Sequence, residues 1–270
     1  MSDLLIRAVS GALFVGLMVG CIWHSFLATA ILFALLVVVG LKEFYKLSDN
    51  LPNIKSNKNV GIALGAYSFV TGFLFLNGTL DYRWVLLSLV LLMLALLSEL
   101  FRNTAQPLFN SALLVFGLLY VVVPFFVMLL LRGVGEDTEQ WMYLLGMFIL
   151  IWTNDTFAYL TGRVIGKTKL FERISPKKTW EGTFGGVVFS VVVGFLIAYL
   201  MQGDIIFWMV AAFLVSLGAI FGDLFESMLK RNATIKDSGN IMPGHGGVLD
   251  RFDAALFGAP IFYLWVQFYN

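Results

Sequence analysis

The chain has 270 residues, of which 59% are hydrophobic and only 13% charged, with a mean hydropathy of +0.86. A soluble fold could not hide this much Phe, Leu and Val without exposing large apolar patches, so a water-soluble globular enzyme is excluded and the bilayer is the solvent. The formal net charge of +1 implies no partner by itself, and the single Cys21 excludes an intrachain disulfide framework or a cysteine zinc site.

Nine apolar segments follow one another, at about 5–23, 26–41, 59–77, 82–100, 108–131, 141–162, 183–201, 205–226 and 253–269. Most have the roughly 17 to 25 residues that a helix needs to cross the hydrocarbon core. None alternates like a barrel strand, and backbone groups in lipid must be satisfied within the segment, which leaves helices. The expectation is an all-α, polytopic integral membrane protein with about nine transmembrane helices. Ala28-Thr29-Ala30 looks like a signal-peptidase site, but an apolar run follows it, so cleavage is not expected. The first two segments meet at His24-Ser25, which predicts a tight hairpin.

With nine spans, alternate loops fall on opposite sides of the membrane. One side carries 16 of the 18 Lys and Arg residues, and the other only Arg83 and Arg132. The positive-inside bias then places the N-terminus in the cytoplasm and the C-terminus outside. The protein is expected in the inner, cytoplasmic membrane with its chemistry facing the cytoplasm.

Residues 1–135, about five helices, read as a transmembrane scaffold and a dimer or lipid surface. Their largest basic loop, KEFYKLSDNLPNIKSNK, reads as anchoring near anionic headgroups. Residues 136–270, about four helices, read as the catalytic region. In the sixth segment Asp155 and Tyr159 are four apart and share a helix face. A carboxylate inside a span costs about 2.5 to 3.5 kcal/mol on insertion scales, so something must compensate Asp155, whether a salt bridge or a ligand. Gly162-Arg163-Val164-Ile165-Gly166-Lys167-Thr168 resembles a P-loop, but its first glycine is one residue too close and it follows an apolar helix instead of a strand. Gly11 and Gly16, and Gly182, Gly185 and Gly186, read as helix-packing positions.

The eighth segment ends with Asp223 and Glu226, three apart, and Lys230 four beyond Glu226. Residues 227–253, SMLKRNATIKDSGNIMPGHGGVLDRFD, then set Lys230, Arg231, Lys236 and Asp237 before a Pro-Gly-His-Gly-Gly turn and Asp250, Arg251 and Asp253. The glycines of the turn would let backbone N–H groups approach an anion. Asp250 and Asp253, three apart at the start of the last span, can face one point. Carboxylates beside cations suit a magnesium-bound polyphosphate, with oxygens for the hard metal and Lys and Arg for the phosphates.

Ser227, Lys230, Arg231, Lys236, Asp237, Gly239, Pro243, His245, Gly246, Gly247, Asp250, Arg251 and Asp253 resemble the signature of the phosphatidate cytidylyltransferases, also called CDP-diacylglycerol synthases. Met242 departs from the Leu, Ile or Phe usual there. The block from Asp155 to Tyr159 with Gly162-Arg163, and SPKKTWEGTFGG at 175–186, extend the resemblance over most of the second half. It implies magnesium-dependent condensation of CTP with phosphatidic acid to CDP-diacylglycerol and pyrophosphate, in phospholipid biosynthesis.

By the same resemblance, Asp223, Lys230, Arg231, Lys236, Asp250 and Asp253 are the catalytic set. Asp223, Asp250 and Asp253 ligate the metal, and Glu226 is a further or outer ligand. A second cation is compatible with this many carboxylates. Lys177, Lys178, Arg251 and Asp155 join the substrate-binding set, together with Asp237, His245, Gly246 and Gly247. The partners implied are CTP, phosphatidic acid and membrane lipid, with a homodimer compatible and no nucleic acid. A CDP-alcohol phosphatidyltransferase would show D-G-x-x-A-R followed by G-x-x-x-D-x-x-x-D, which this chain lacks. A transporter binding a coupling cation would place its acids near the bilayer midplane instead of at the cytoplasmic boundary.

Overall fold

The computed structural model describes residues 3–133, 140–239 and 246–269. Ten α-helices account for most of them: α1 (Asp3–His24), α2 (Phe26–Ser48), α3 (Lys58–Leu76), α4 (Tyr82–Leu97), α5 (Pro107–Gly117), α6 (Val123–Arg132), α7 (Gln140–Ile165), α8 (Trp180–Leu200), α9 (Ile205–Asn232) and α10 (Leu249–Tyr269). The protein is an all-α polytopic membrane protein. A π-helical turn, Leu118–Val122, joins α5 to α6, so the two form one apolar segment. The wide turn sits just ahead of Pro124, whose ring would otherwise press on the carbonyl four residues back.

Among the described residues, seven segments are long and apolar enough to cross a membrane. Each coincides with an expected span. The remaining two expected spans are also helices: α1, whose apolar part is Val9–His24, and α10, whose first two turns carry Asp250, Arg251 and Asp253. Ser25 alone separates α1 from α2. Its backbone is extended and its Oγ accepts from Ala28 N–H at 3.0 Å, capping α2.

The chain divides into two compact units. One comprises Met1–Leu129 with Asn232–Arg251, and the other Leu130–Arg231 with Phe252–Asn270. The loop after α9 groups with the N-terminal helices and not with the C-terminal region.

The first unit is organised around the buried ring of Tyr45. Its hydroxyl donates to Leu114 O at 3.0 Å, and a Cβ at Gly61 or Gly117 would collide with it. Phe44 packs beside it and in turn meets Phe116 and Tyr120, with ring centroids 5.4 to 6.0 Å apart.

In the second unit small residues let helix backbones meet. A Cβ on Gly182 would lie 2.6 Å from Ala158 O, and one on Gly186 would lie 2.7 Å from Asn154 O, so α8 packs directly on α7. Gly218 meets the backbone of Gly258 in the same way, joining α9 to α10. Asp204 caps α9, and the Phe207 N–H it accepts at 2.8 Å holds its carboxyl below the usual carboxylate range.

The 163–182 loop contains a feature absent from the sequence expectation. Strands β1 (Lys169–Phe171) and β2 (Ser175–Thr179) form an antiparallel hairpin, pairing Lys169 with Thr179 and Phe171 with Ser175. Thr179 ends the hairpin and starts α8, its Oγ1 accepting from Gly182 N–H at 3.2 Å.

Candidate active site

In the C-terminal unit the acids gather around Asp253. This residue lies in the second turn of α10, and Asp223, Glu226 and Asp155 are near enough for their charges to repel its own. Asp223 and Glu226 lie in the last three turns of α9, on one face as their spacing predicts. The approach of α9 to α10 depends on Gly222, because a Cβ there would occupy the space of Asp253 O. Asp155, exposed on α7, accepts a long 3.4 Å hydrogen bond from Asn154 Nδ2.

Two lysines answer these acids. Lys178, brought in by β2, forms an ion pair with Asp223. Lys230 forms another with the buried Glu226, one turn back on α9. Lys178 thus joins the hairpin to Asp223 near the end of α9. Lys177, its neighbour on β2, points to solvent. Arg231 is exposed at the end of α9.

Oxygen donors that repel one another suit a hard divalent cation, so the donor chemistry here fits magnesium. Asp223 and Asp253 are the residues that would hold it. Among the described residues, no three His, Cys, Asp or Glu side chains are grouped as a ready metal shell. The expected four-carboxylate set of Asp223, Glu226, Asp250 and Asp253 is thus not preassembled, and Glu226 is engaged by Lys230 instead.

The N-terminal unit holds the rest of the signature. Asp250 Oδ2 accepts from Ser238 N–H at 2.9 Å, from Ser238 Oγ at 2.8 Å and from Gly247 N–H at 2.8 Å. That oxygen therefore shapes the loop. Gly246 has φ +83°, a left-handed conformation that a side chain disfavours. The sequence reading set the glycine-bearing turn against a substrate anion. What Gly247 N–H approaches is the chain's own Asp250. Lys236, Asp237 and Arg251 are exposed, while His245 lies outside the described residues.

Sequence reasoning missed Glu43. From α2 its buried carboxylate accepts from Val248 N–H and Leu249 N–H, both at 3.0 Å, and from Ser238 Oγ at 3.3 Å. The signal available was an acid near the end of an apolar helix, between Lys42 and Lys46, in a loop that otherwise reads as basic anchoring.

The P-loop resemblance is explained by another carboxylate. Glu181 accepts from the backbone N–H of Lys167 and of Thr168 at 3.1 Å, so the protein's own acid occupies the amides that a phosphate would need.

A model of the cytidylyltransferase family matches residues 5–269. A phosphatidate cytidylyltransferase of Rickettsia bellii is 34% identical over 220 residues, covering 77% of this chain and 90% of that protein. One of Staphylococcus haemolyticus is 33% identical over 241 residues, covering 86% and 88%. One of Staphylococcus aureus is 43% identical over 126 residues, covering 46% and 48%.

Proposed function

The chain belongs to the cytidylyltransferase family and is a nucleotidyltransferase, and we propose that it joins CTP to phosphatidic acid, giving CDP-diacylglycerol and pyrophosphate at the cytoplasmic face of the inner membrane. The observation that carries this reading is the group of acids around Asp253, with Lys178 of β2 and Lys230 of α9 paired into it. The charge asymmetry of the loops supports the cytoplasmic face.

The phosphate of phosphatidic acid is already ionised, so one of its oxygens attacks the α-phosphorus of CTP without a protein base. A phosphorus–oxygen bond forms there, and the bond to the β-phosphate breaks, releasing pyrophosphate. The chain then has two tasks, holding the phosphates in line and neutralising their charge. Lys178 and Lys230 lie in the acid cluster and serve the phosphates there. Arg231, Lys236 and Arg251 present exposed cations for the same purpose. Asp223 and Asp253 hold magnesium, which when bound offsets the negative charge of the triphosphate. Asp250 acts by ordering its loop.

The test uses purified protein in detergent with radiolabelled CTP and phosphatidic acid. A lipid-soluble cytidine product formed only with a divalent cation is expected. No such product with any divalent metal would overturn the reading and favour a cation-coupled transporter.

A further inference from the structure

Glu43 belongs to a helix that the sequence offered only as scaffold, yet its carboxylate is committed to a segment some 200 positions later. Oε1 accepts from Val248 N–H, and Oε2 from Leu249 N–H and Ser238 Oγ. These amides open α10, where unpaired N–H groups and the helix dipole favour a negative charge. The loop is cut to fit the carboxylate. A Cβ at Gly247 would lie 2.5 Å from Glu43 Oε2, and one at Gly239 would strike Oε1. On α2, Gly40 sits one turn before Glu43, beside Val248 and Leu249, whose methyls would be in ordinary contact with a Cβ there, at 3.9 and 3.6 Å.

Ser238 ties this clasp to Asp250. Its hydroxyl has one proton and two carboxylates beside it, at 2.8 Å for Asp250 and 3.3 Å for Glu43. The backbone and small residues of the loop thus face inward, while Lys236, Asp237 and Arg251 face out.

We propose that Glu43 is a positioning residue for the transfer reaction, fixing both described flanks of the loop so that Lys236 and Arg251 are presented to the nucleotide phosphates. This rests on the cytidylyltransfer reading above. Groups that bind phosphates must be held within about half an ångström, and losing a supporting partner of that kind typically costs 10- to 100-fold in function.

The experiment compares the full-length protein with Glu43→Gln and Ser238→Ala in detergent. Glu43→Gln keeps the shape but turns one acceptor into an NH2 group facing a backbone N–H. Hydrogen exchange of the 246–251 amides should quicken at least about tenfold, and the Michaelis constant for CTP should rise about tenfold. Loss of folded protein alone lowers turnover but leaves that constant unchanged. Ser238→Ala should reproduce a smaller part of both effects and guards against a Glu43 variant that fails to fold. Unchanged exchange, or lower turnover at an unchanged Michaelis constant, would reduce Glu43 to a packing role. The exchange measurement needs no catalysis, so it still judges the clasp if the wild-type protein makes no lipid-soluble cytidine product.

Discussion

Two carboxylates drawn away from bulk water, Glu43 in the N-terminal unit and Asp253 in the C-terminal unit, have opposite surroundings. Glu43 accepts from two backbone N–H groups, each such charge-assisted bond contributing about 1.5 to 3 kcal/mol, and shares the Ser238 hydroxyl with Asp250. Asp253 accepts from Ala254 N–H and otherwise faces the charges of Asp223, Glu226 and Asp155, with lysines answering only its neighbours. An acid whose oxygens are met by fixed donors holds a structure together. One set among like charges repels itself, and on the proposed reading a divalent cation would relieve that repulsion.

The largest expected effect breaks the comparison at Asp253. On the proposed reading, Asp223→Asn and Asp253→Asn should each lower turnover by at least about 10²- to 10³-fold, because the site would lose both a ligand charge and its hold on magnesium. Thermal stability in magnesium-free detergent should not fall for Asp253→Asn, since a like charge has been removed. Glu43→Gln should lower it. A shared loss of stability in both variants would mean that the two acids play the same structural part.

A smaller effect is expected where Lys178 and Lys177 diverge. Lys178 is paired with Asp223 and half-buried, whereas its neighbour is exposed. Lys178→Ala should raise the Michaelis constant for CTP about tenfold, in the range of a lost charged contact. Lys177→Ala should change it by less than about twofold, as exposed charges contribute little. Equal effects would show that both lysines reach the nucleotide and that the hairpin rearranges on binding.

Gly247→Ala tests the fit around Glu43 by steric means. The new methyl would meet the Glu43 carboxylate and Ser238 Oγ, each at 2.5 Å, and overpacking of this kind costs about 1 to 3 kcal/mol. A matching drop in denaturation temperature is expected.

The helices were legible because length and apolarity alone decide what crosses a bilayer, and every expected span became a helix. Their ends were less so. Helix α9 runs to Asn232, beyond the apolar run that stops near 226, since Glu226 and Lys230 pair along it. The β1–β2 hairpin was missed because strands of three and five residues, three of the eight being lysines, carry no alternating pattern. The acids of α9 were readable from their helical spacing. Glu43 was not, because two of its three partners are backbone amides, which have no residue identity, and they lie 205 and 206 positions away. The sequence set the glycine turn against a substrate anion and had no means of saying that Gly247 N–H donates to Asp250 of the chain itself.

The smallest expected effect concerns a glycine that the structure leaves idle. Gly16 on α1 looked like a packing position, as Gly182 and Gly186 on α8 proved to be. Yet a Cβ at Gly16 or at Gly20 would meet nothing within 4 Å, whereas one at Gly182 would lie 2.6 Å from Ala158 O. Small residues favour helix association only where another backbone comes close. Gly16→Ala should therefore change stability by no more than about 0.5 kcal/mol, the range of substitutions that touch nothing. Gly182→Ala, which must separate α7 from α8, should be clearly destabilising in the same thermal assay. If Gly16→Ala instead lowered activity or stability as much as Gly182→Ala does, a second helix must lie against α1 in the bilayer, and cross-linking through the neighbouring Cys21 would show whether it comes from another copy of the chain.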